Sequence, residues 1–142
     1  MAYDPNNIFA RIVRGEIPCV RVHDDADTLA FMDLMPQSQG HTLVIPKVAG
    51  EDLLDTPPAS VAAAMRTTQR VARAVKEAFA APGLIVTQFN GPVAGQTVFH
   101  LHFHVIPAYV AGGLRLHARD KVDAATLEAH AARIRSALEA SG

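Results

Sequence analysis

The sequence contains a single cysteine, Cys19, among its 142 residues. One cysteine cannot form a disulfide within the chain, and it cannot supply the ligands of a cysteine-based zinc finger or ribbon. An excess of charge is also missing, because 13 Lys and Arg residues nearly balance 14 Asp and Glu residues, for a net charge of −1. Nucleic acids and anionic membranes require a basic surface, so the sequence predicts neither as a partner.

Long apolar runs are absent as well. No stretch approaches the roughly 20 apolar residues that a bilayer-spanning helix requires. Residues 1–7 lack the basic start and apolar core of a signal peptide, so we expect a cytoplasmic protein. Hydrophobic residues nevertheless make up 49% of the chain and charged residues only 19%, a composition that excludes intrinsic disorder. The length favours one compact unit.

Three segments have apolar residues at helical spacing, in a chain that contains 25 alanines. We expect a short N-terminal helix over residues 7–14, a long central helix capped by Thr56, and a C-terminal helix from Asp123 onward. The face that the central helix is expected to bury consists of Val61, Met65, Thr68, Ala72, Val75 and Phe79. The charged residues of this helix lie off that face and indicate a solvent-exposed side.

Five segments have the composition of β-strands, with alternating apolar and polar residues or short apolar runs between turn residues. They cover residues 20–23, 28–33, 41–45, 84–90 and 98–108. Antiparallel strands with segregated helices make a single α+β domain, which we place at residues 1–110. Residues 111–142 form an extension whose amphipathic helix is expected to pack on the same domain or on a dimer partner.

The most informative segment carries His100, His102 and His104 at every second position of a predicted strand. Side chains two residues apart on a strand point to the same side, roughly 7 Å apart, so the three imidazoles share one face. The apolar residues between them share the other face, where they would pack against the central helix. Such a row fits a surface strand, an open metal site with His41 as a further ligand, or catalysis by imidazole.

The loop before this strand favours catalysis at phosphorus. Gly95, Gln96 and Thr97 follow Gly91 in a flexible turn, which places N–H groups and a hydroxyl just ahead of the histidines. Such groups suit the non-bridging oxygens of a phosphate without any lysine. Imidazole is a good nucleophile toward phosphorus and titrates near neutral pH, so one histidine can attack while its neighbours orient it or supply a proton.

These segments resemble a known family. The residues from His100 to Ile106 resemble the His-x-His-x-His-x-x signature of the histidine triad (HIT) family, in which x is apolar, and residues 94–98 match what precedes it there. The similarity covers roughly residues 7–108 and includes further segments at residues 8–9, 15–18, 30–33 and 40–47. The N-terminal segments resemble the Hint-like branch of the family rather than the Fhit-like branch.

The resemblance implies catalytic roles for four histidines. His102 corresponds to the family's middle histidine, which attacks the α-phosphate of a nucleotide. His100 and His104 would orient it, contact phosphate oxygens and help to protonate the leaving group. His41 corresponds to the upstream histidine whose side chain supports the triad.

The resemblance also implies a nucleotide-binding site. Asp33 corresponds to the acidic residue that holds the ribose hydroxyls. The apolar cleft for the base would consist of Ile8, Phe9, Ile12, Phe31 and Leu34, and the phosphate site of Gly95, Gln96 and Thr97. Asn90 is a further candidate contact. Phe89 stands where relatives usually have an amide, and strand alternation points Asn90 to the opposite face unless a bulge intervenes.

Some relatives bind a structural zinc through cysteines and a histidine at positions that Asn7, Ala10 and Ala49 occupy here. We therefore predict no metal and no cofactor. The resemblance implies a nucleotide hydrolase or transferase that cleaves a phosphorus bond at the α-phosphate of a purine nucleotide, of the nucleoside 5′-phosphoramidate type. It would act through a covalent nucleotidyl-histidine and as a homodimer. The alternatives are a dinucleoside polyphosphate hydrolase, a nucleotide-binding module with little turnover, and a zinc-binding protein.

Overall fold

The computed structural model describes residues 2–110 and 120–141, which form three α-helices and five β-strands. The elements in chain order are α1 (Ile8–Val13), β1 (Arg21–Asp24), β2 (Thr28–Met32), β3 (Thr42–Pro46), α2 (Pro58–Ala78), β4 (Gly83–Thr87), β5 (Phe103–Ala108) and α3 (Ala124–Ala140). All neighbouring strands are antiparallel, in the order β1-β2-β3-β5-β4. The prediction of a single α+β domain with a short N-terminal helix and a long central helix is confirmed.

The sheet is apolar on both faces, because successive side chains along a strand pack alternately against α2 and α3 on one face and against α1 on the other. In β2, Ala30 and Met32 join the core beneath α2 and α3, whereas Leu29 and Phe31 join a second cluster with α1. All residues of β2 and β3 are buried. The α1 side of the sheet therefore has an apolar cluster of its own, and the candidate site lies on that side.

The central helix α2 begins one residue later than predicted. Pro57 occupies the N-cap position, and the hydroxyl of Thr56 instead donates to the Asp52 carbonyl at 2.7 Å. The buried face is also rotated from the predicted one, because Ala64 is fully buried whereas Met65 is 43% exposed. Alanine and threonine dominate the buried face, so the helix lies close to the sheet with its charged residues on the outside, as predicted.

The C-terminal helix α3 packs against α2 and β1 of the same chain. Asp123 caps it by accepting a hydrogen bond from the Thr126 N–H at 2.7 Å. Four apolar residues at helical spacing along it are all buried, namely Leu127, Ala131, Ile134 and Leu138, as expected for the predicted amphipathic helix. Across the described ranges 2–110 and 120–141, no helix is both long and apolar enough to cross a membrane.

Strands β4 and β5 are shorter than predicted. β4 ends at Thr87 instead of residue 90, and β5 begins at Phe103 instead of residue 98. Residues 98–102 lie outside the sheet, and the Leu101 N–H donates to the Gly50 carbonyl at 3.0 Å. Only one of the three histidines therefore lies on a strand.

Gly40, two residues before β3, faces the ring of Phe79. Its φ is +94°, and a Cβ there would lie 2.8 Å from two atoms of that ring. We expect Gly40→Ala to lower the free energy of unfolding by about 3 kcal/mol, because backbone strain and overpacking each cost roughly 1–3 kcal/mol. Urea unfolding measures the loss.

Gly15→Ala is the matched control for this prediction. Gly15 has a φ of +79°, but among the described residues, its two chain neighbours aside, no heavy atom lies within 4 Å of a Cβ placed there. This variant should show the strain alone, about 1 kcal/mol. Equal losses in the two variants would show that the contact with Phe79 costs nothing.

Candidate active site

A cavity of about 340 Å³ opens on the α1 side of the sheet. Most of the described residues that line it are apolar, and none of them is Lys or Arg. The predicted site residues in this lining are Ile8, Phe9, Ile12, Phe31, Asp33, Leu34, His41, Gly95, Thr97, His102 and His104. Asn90, Gln96 and His100 are not among the described residues that line the cavity. The fold thus brings together most, but not all, of the predicted site.

A row of aromatic rings runs along the cavity. Phe31 and Phe9 meet edge to face with their ring centroids 5.3 Å apart, and Phe9 meets His102 at 4.9 Å. His102 is followed by His104 at 5.0 Å, and His104 by Phe89 at 5.6 Å. The apolar wall formed by Phe31 and Phe9 is therefore continuous with the histidines, and Phe89 extends the row beyond them.

One ring nitrogen of His102 has a free lone pair and can act as a nucleophile. The ring is buried, and its Nδ1 lies 2.7 Å from the carbonyl oxygen of His100. A carbonyl only accepts hydrogen bonds, so Nδ1 carries the proton and Nε2 keeps its lone pair. Burial lowers the pKa of His102, which keeps the imidazole neutral and nucleophilic at neutral pH.

The side chain of His100 does not reach the cavity, contrary to the prediction that it contacts phosphate. Its Nε2 donates to the Pro46 carbonyl at 2.7 Å, so its Nδ1 accepts from the Tyr3 hydroxyl at 2.6 Å. Both ring nitrogens are therefore engaged, and the residue is only 1% exposed. His100 orients His102 through its backbone carbonyl instead. No sequence motif includes Tyr3, and only the folded chain reveals its contact.

His41 and His104 form a second hydrogen-bonded pair with a defined direction. The Gln37 N–H donates to Nδ1 of His41 at 3.0 Å, which leaves the His41 proton on Nε2. That proton faces Nδ1 of His104 at 3.0 Å, so His104 carries its own proton on Nε2. Burial, together with the neighbouring imidazoles, lowers the pKa of His41 to about 3 and that of His104 to about 4. Both rings are neutral at pH 7, and His104 presents an N–H donor.

Asp33 lies beside this pair, just past the end of β2. Its Oδ1 accepts from the Met35 N–H at 2.8 Å, and its Oδ2 lies 3.5 Å from Nε2 of His41. Burial raises the pKa of Asp33 to about 6. Ligand atoms of Asp33, His41 and His104 lie within 4.8 Å of one another, so within the described residues these three could hold a metal ion. His100, His102 and His104 do not form a metal site together, because both ring nitrogens of His100 are bonded to other groups.

The loop before the histidines is a tight turn that uses its own N–H groups. Gly91 and Gly95 have φ values of +93° and +109°, and the N–H groups of Gly95 and Gln96 donate to carbonyls within the turn. The Gln96 side chain accepts from the Gly91 N–H at 2.8 Å and donates to the Glu51 carbonyl at 2.6 Å. Contrary to the prediction, these groups hold the shape of the loop. Thr97 is the polar residue of the loop that lines the cavity.

Asn90 points away from the cavity, and Phe89 points into it. The Asn90 side-chain oxygen accepts from the Leu53 N–H at 2.9 Å and from the Gln88 amide at 2.7 Å. The Asn90 amide in turn donates to the Gln88 side chain at 3.1 Å. Asn90 therefore ties this loop to residue 53, while the Phe89 ring takes a place in the cavity wall.

A cavity with an apolar wall, a row of imidazoles and a glycine turn is found in a chain whose residues 14–111 match the family model of the HIT domain. The chain belongs to the histidine triad (HIT) family. A crystal structure of a HIT-like protein involved in cell-cycle regulation from Bartonella henselae is 48% identical, with a TM-score of 0.89 over 96% of this chain and 99% of that chain.

Two curated relatives are similar over most of their length. An uncharacterised HIT-like protein of Mycobacterium tuberculosis is 42% identical over 100 residues, which are 70% of this chain and 69% of that protein. The adenosine 5′-monophosphoramidase of Schizosaccharomyces pombe is 40% identical over 100 residues, which are 70% of this chain and 72% of that protein. The predicted family is therefore confirmed.

Proposed function

We propose that this chain is a nucleotide hydrolase or transferase that cleaves a phosphorus bond at the α-phosphate of a purine nucleoside 5′-phosphoramidate, through a covalent intermediate on His102. The tautomer of His102 carries the proposal. Its Nδ1 is bonded to a backbone carbonyl, and its Nε2 keeps a lone pair in the wall of the cavity. The phosphoramidase named among the relatives supports this substrate class.

The reaction consists of two displacements. Nε2 of His102 attacks phosphorus and the P–N bond breaks, which leaves the nucleotidyl group on His102. The leaving nitrogen takes its proton from water and departs as the free amine. The Nε2–H of neutral His104 donates a hydrogen bond to this nitrogen and stabilises its departure, while the His41 N–H holds the His104 ring. Water then attacks the nucleotidyl-histidine and releases the monophosphate. Splitting one difficult step lowers its barrier, and acid–base assistance contributes about 10²–10⁴-fold.

The same proposal assigns binding roles to the rest of the cavity. The base packs on the apolar wall formed by Ile8, Phe9, Ile12, Phe31 and Leu34. Asp33, with a pKa of about 6, is mostly ionised at pH 7 and accepts from the ribose hydroxyls. Thr97 offers its hydroxyl to the phosphate. The homodimer stays a prediction; β4 lies at an edge of the sheet, where Val86 is 46% exposed.

Steady-state kinetics with adenosine 5′-phosphoramidate and diadenosine triphosphate test the proposed substrate class. The cavity of about 340 Å³ is near the lower limit for small-molecule sites, roughly 300 Å³, and no Lys or Arg in its described lining faces a polyphosphate. We expect kcat/KM for the phosphoramidate to be at least about tenfold larger, equivalent to ~1.4 kcal/mol.

The other outcomes of this comparison are also informative. A preference for the dinucleotide would favour the dinucleoside polyphosphate hydrolase over the proposed activity. Tight binding of the nucleoside monophosphate, without turnover of either compound, would identify a binding module instead of an enzyme.

A further inference from the structure

We propose that Phe89 forms a subsite for an apolar substituent on the leaving amine, an inference that rests on the proposed function. Phe89 lies two residues past the end of β4, and its half-buried ring lines the cavity. The ring meets His104 edge to face, with the two centroids 5.6 Å apart at an interplanar angle of 61°. On another side it approaches the glycine turn, because a Cβ placed on Gly95 would lie 3.8 Å from the ring.

The order of the rings determines what Phe89 meets. The row runs from Phe31 through Phe9, His102 and His104 to Phe89. With the base against the first two rings and phosphorus at His102, a substituent that extends past phosphorus, away from the nucleoside, reaches His104 and then Phe89. The nucleoside monophosphate product has no such substituent. Phe89 therefore affects which leaving group is preferred. The nucleotide itself is bound at the other end of the row.

The chemistry of this end of the cavity favours an apolar group. The amide of Asn90, the adjacent residue, is bonded to Gln88 and to the backbone at Leu53, and Asn90 is not among the described residues that line the cavity. The phenyl ring of Phe89 offers apolar surface, which is stabilised when it is covered and water is released. One methylene in a hydrophobic pocket changes kcat/KM by roughly 10–200-fold. An aryl group that covers the half-buried ring of Phe89 should therefore raise kcat/KM by at least about tenfold.

The test compares the adenosine 5′-phosphoramidates of two amines, propylamine and phenylpropylamine. The two amines have similar basicity, so the compounds differ mainly in the apolar group that would contact Phe89. We expect wild-type kcat/KM to be about tenfold larger for the phenylpropyl compound. In Phe89→Asn the ratio should fall to within about twofold of unity, whereas Phe89→Leu should retain most of it. Adenosine monophosphate affinity of Phe89→Asn should stay within about threefold of wild type, which also shows that this variant folds.

Val93→Asn is the matched control. Val93 lies on the same loop, is fully exposed and is not among the described residues that line the cavity, so this variant should keep the wild-type ratio. A wild-type ratio near unity, or a full preference in Phe89→Asn, would overturn the subsite while leaving the proposed function intact. Failure of the wild-type protein to turn over either compound would overturn both.

Discussion

Replacement of His102 by alanine is expected to lower the turnover of adenosine 5′-phosphoramidate by at least about 10⁴-fold, the scale of loss seen when a nucleophile is removed from a catalytic unit. The variant lacks Nε2 of residue 102, and no other imidazole of the described residues takes its position. His100 has both nitrogens bonded outside the cavity, and Nδ1 of His104 accepts from His41. Monophosphate affinity should stay within about tenfold, ~1.4 kcal/mol, because the wall at Phe9 and Phe31 is unchanged.

Steady-state kinetics and calorimetric titration with adenosine monophosphate give the two readouts. The control is His130→Asn, which removes an imidazole that packs on Phe79 and is not among the described residues of the cavity lining. It should retain wild-type turnover. A His102→Ala protein that works at the wild-type rate would remove the nucleophile from the mechanism.

Replacement of His104 by alanine should have an effect that depends on the leaving group. The Nε2–H of His104 is proposed to assist departure of the amine nitrogen, a poor leaving group that requires a proton. Turnover of an alkylamine phosphoramidate should therefore fall by about 10²-fold or more. A 4-nitrophenyl ester of the same nucleotide expels a stable anion, so its turnover should fall by less than about tenfold.

The conservative variant sharpens this second prediction. His104→Gln keeps an N–H donor and should recover part of the lost rate with the amine substrate. Steady-state kinetics with both substrates measure the difference. Equal losses for the amine and the nitrophenyl ester would contradict the assignment, since a purely structural role of His104 affects both substrates alike.

The faces of the sheet are predictable from the sequence because side chains on a strand alternate. Ala30 and Met32 pack beneath the long helices, and Phe31 faces α1, as alternation along β2 requires. Part of the cavity lining is also predictable, because Phe9, Phe31 and His102 lie in segments that resemble the family, whereas Gln37 and the ring of Phe89 are not predicted to line it. The strand order places β3 between β2 and β5, and Phe31 of β2 then shares one cavity with His41 and His102, which directly precede β3 and β5.

The row of histidines departs from its prediction for a reason that local periodicity does not contain. The predicted alternation assumes that the strand that carries the histidines begins at residue 98. In the structure, the Leu101 N–H instead donates to the carbonyl of Gly50, which is distant in sequence. The strand therefore begins only at Phe103, and the His100 ring bonds to Pro46 and Tyr3. The N–H groups of Gly95 and Gln96 are a second example. They donate to carbonyls of their own turn, and the sequence alone does not show which carbonyl a backbone N–H group will bond.

Rapid quenching of the wild-type protein with a slowly cleaved adenosine phosphoramidate tests the central claim most directly. Mass spectrometry of the quenched protein should find one adenylyl group per chain, attached to His102, and it should find none in His102→Ala. An adenylyl group mapped to another residue, or the same adduct in His102→Ala, would contradict the account.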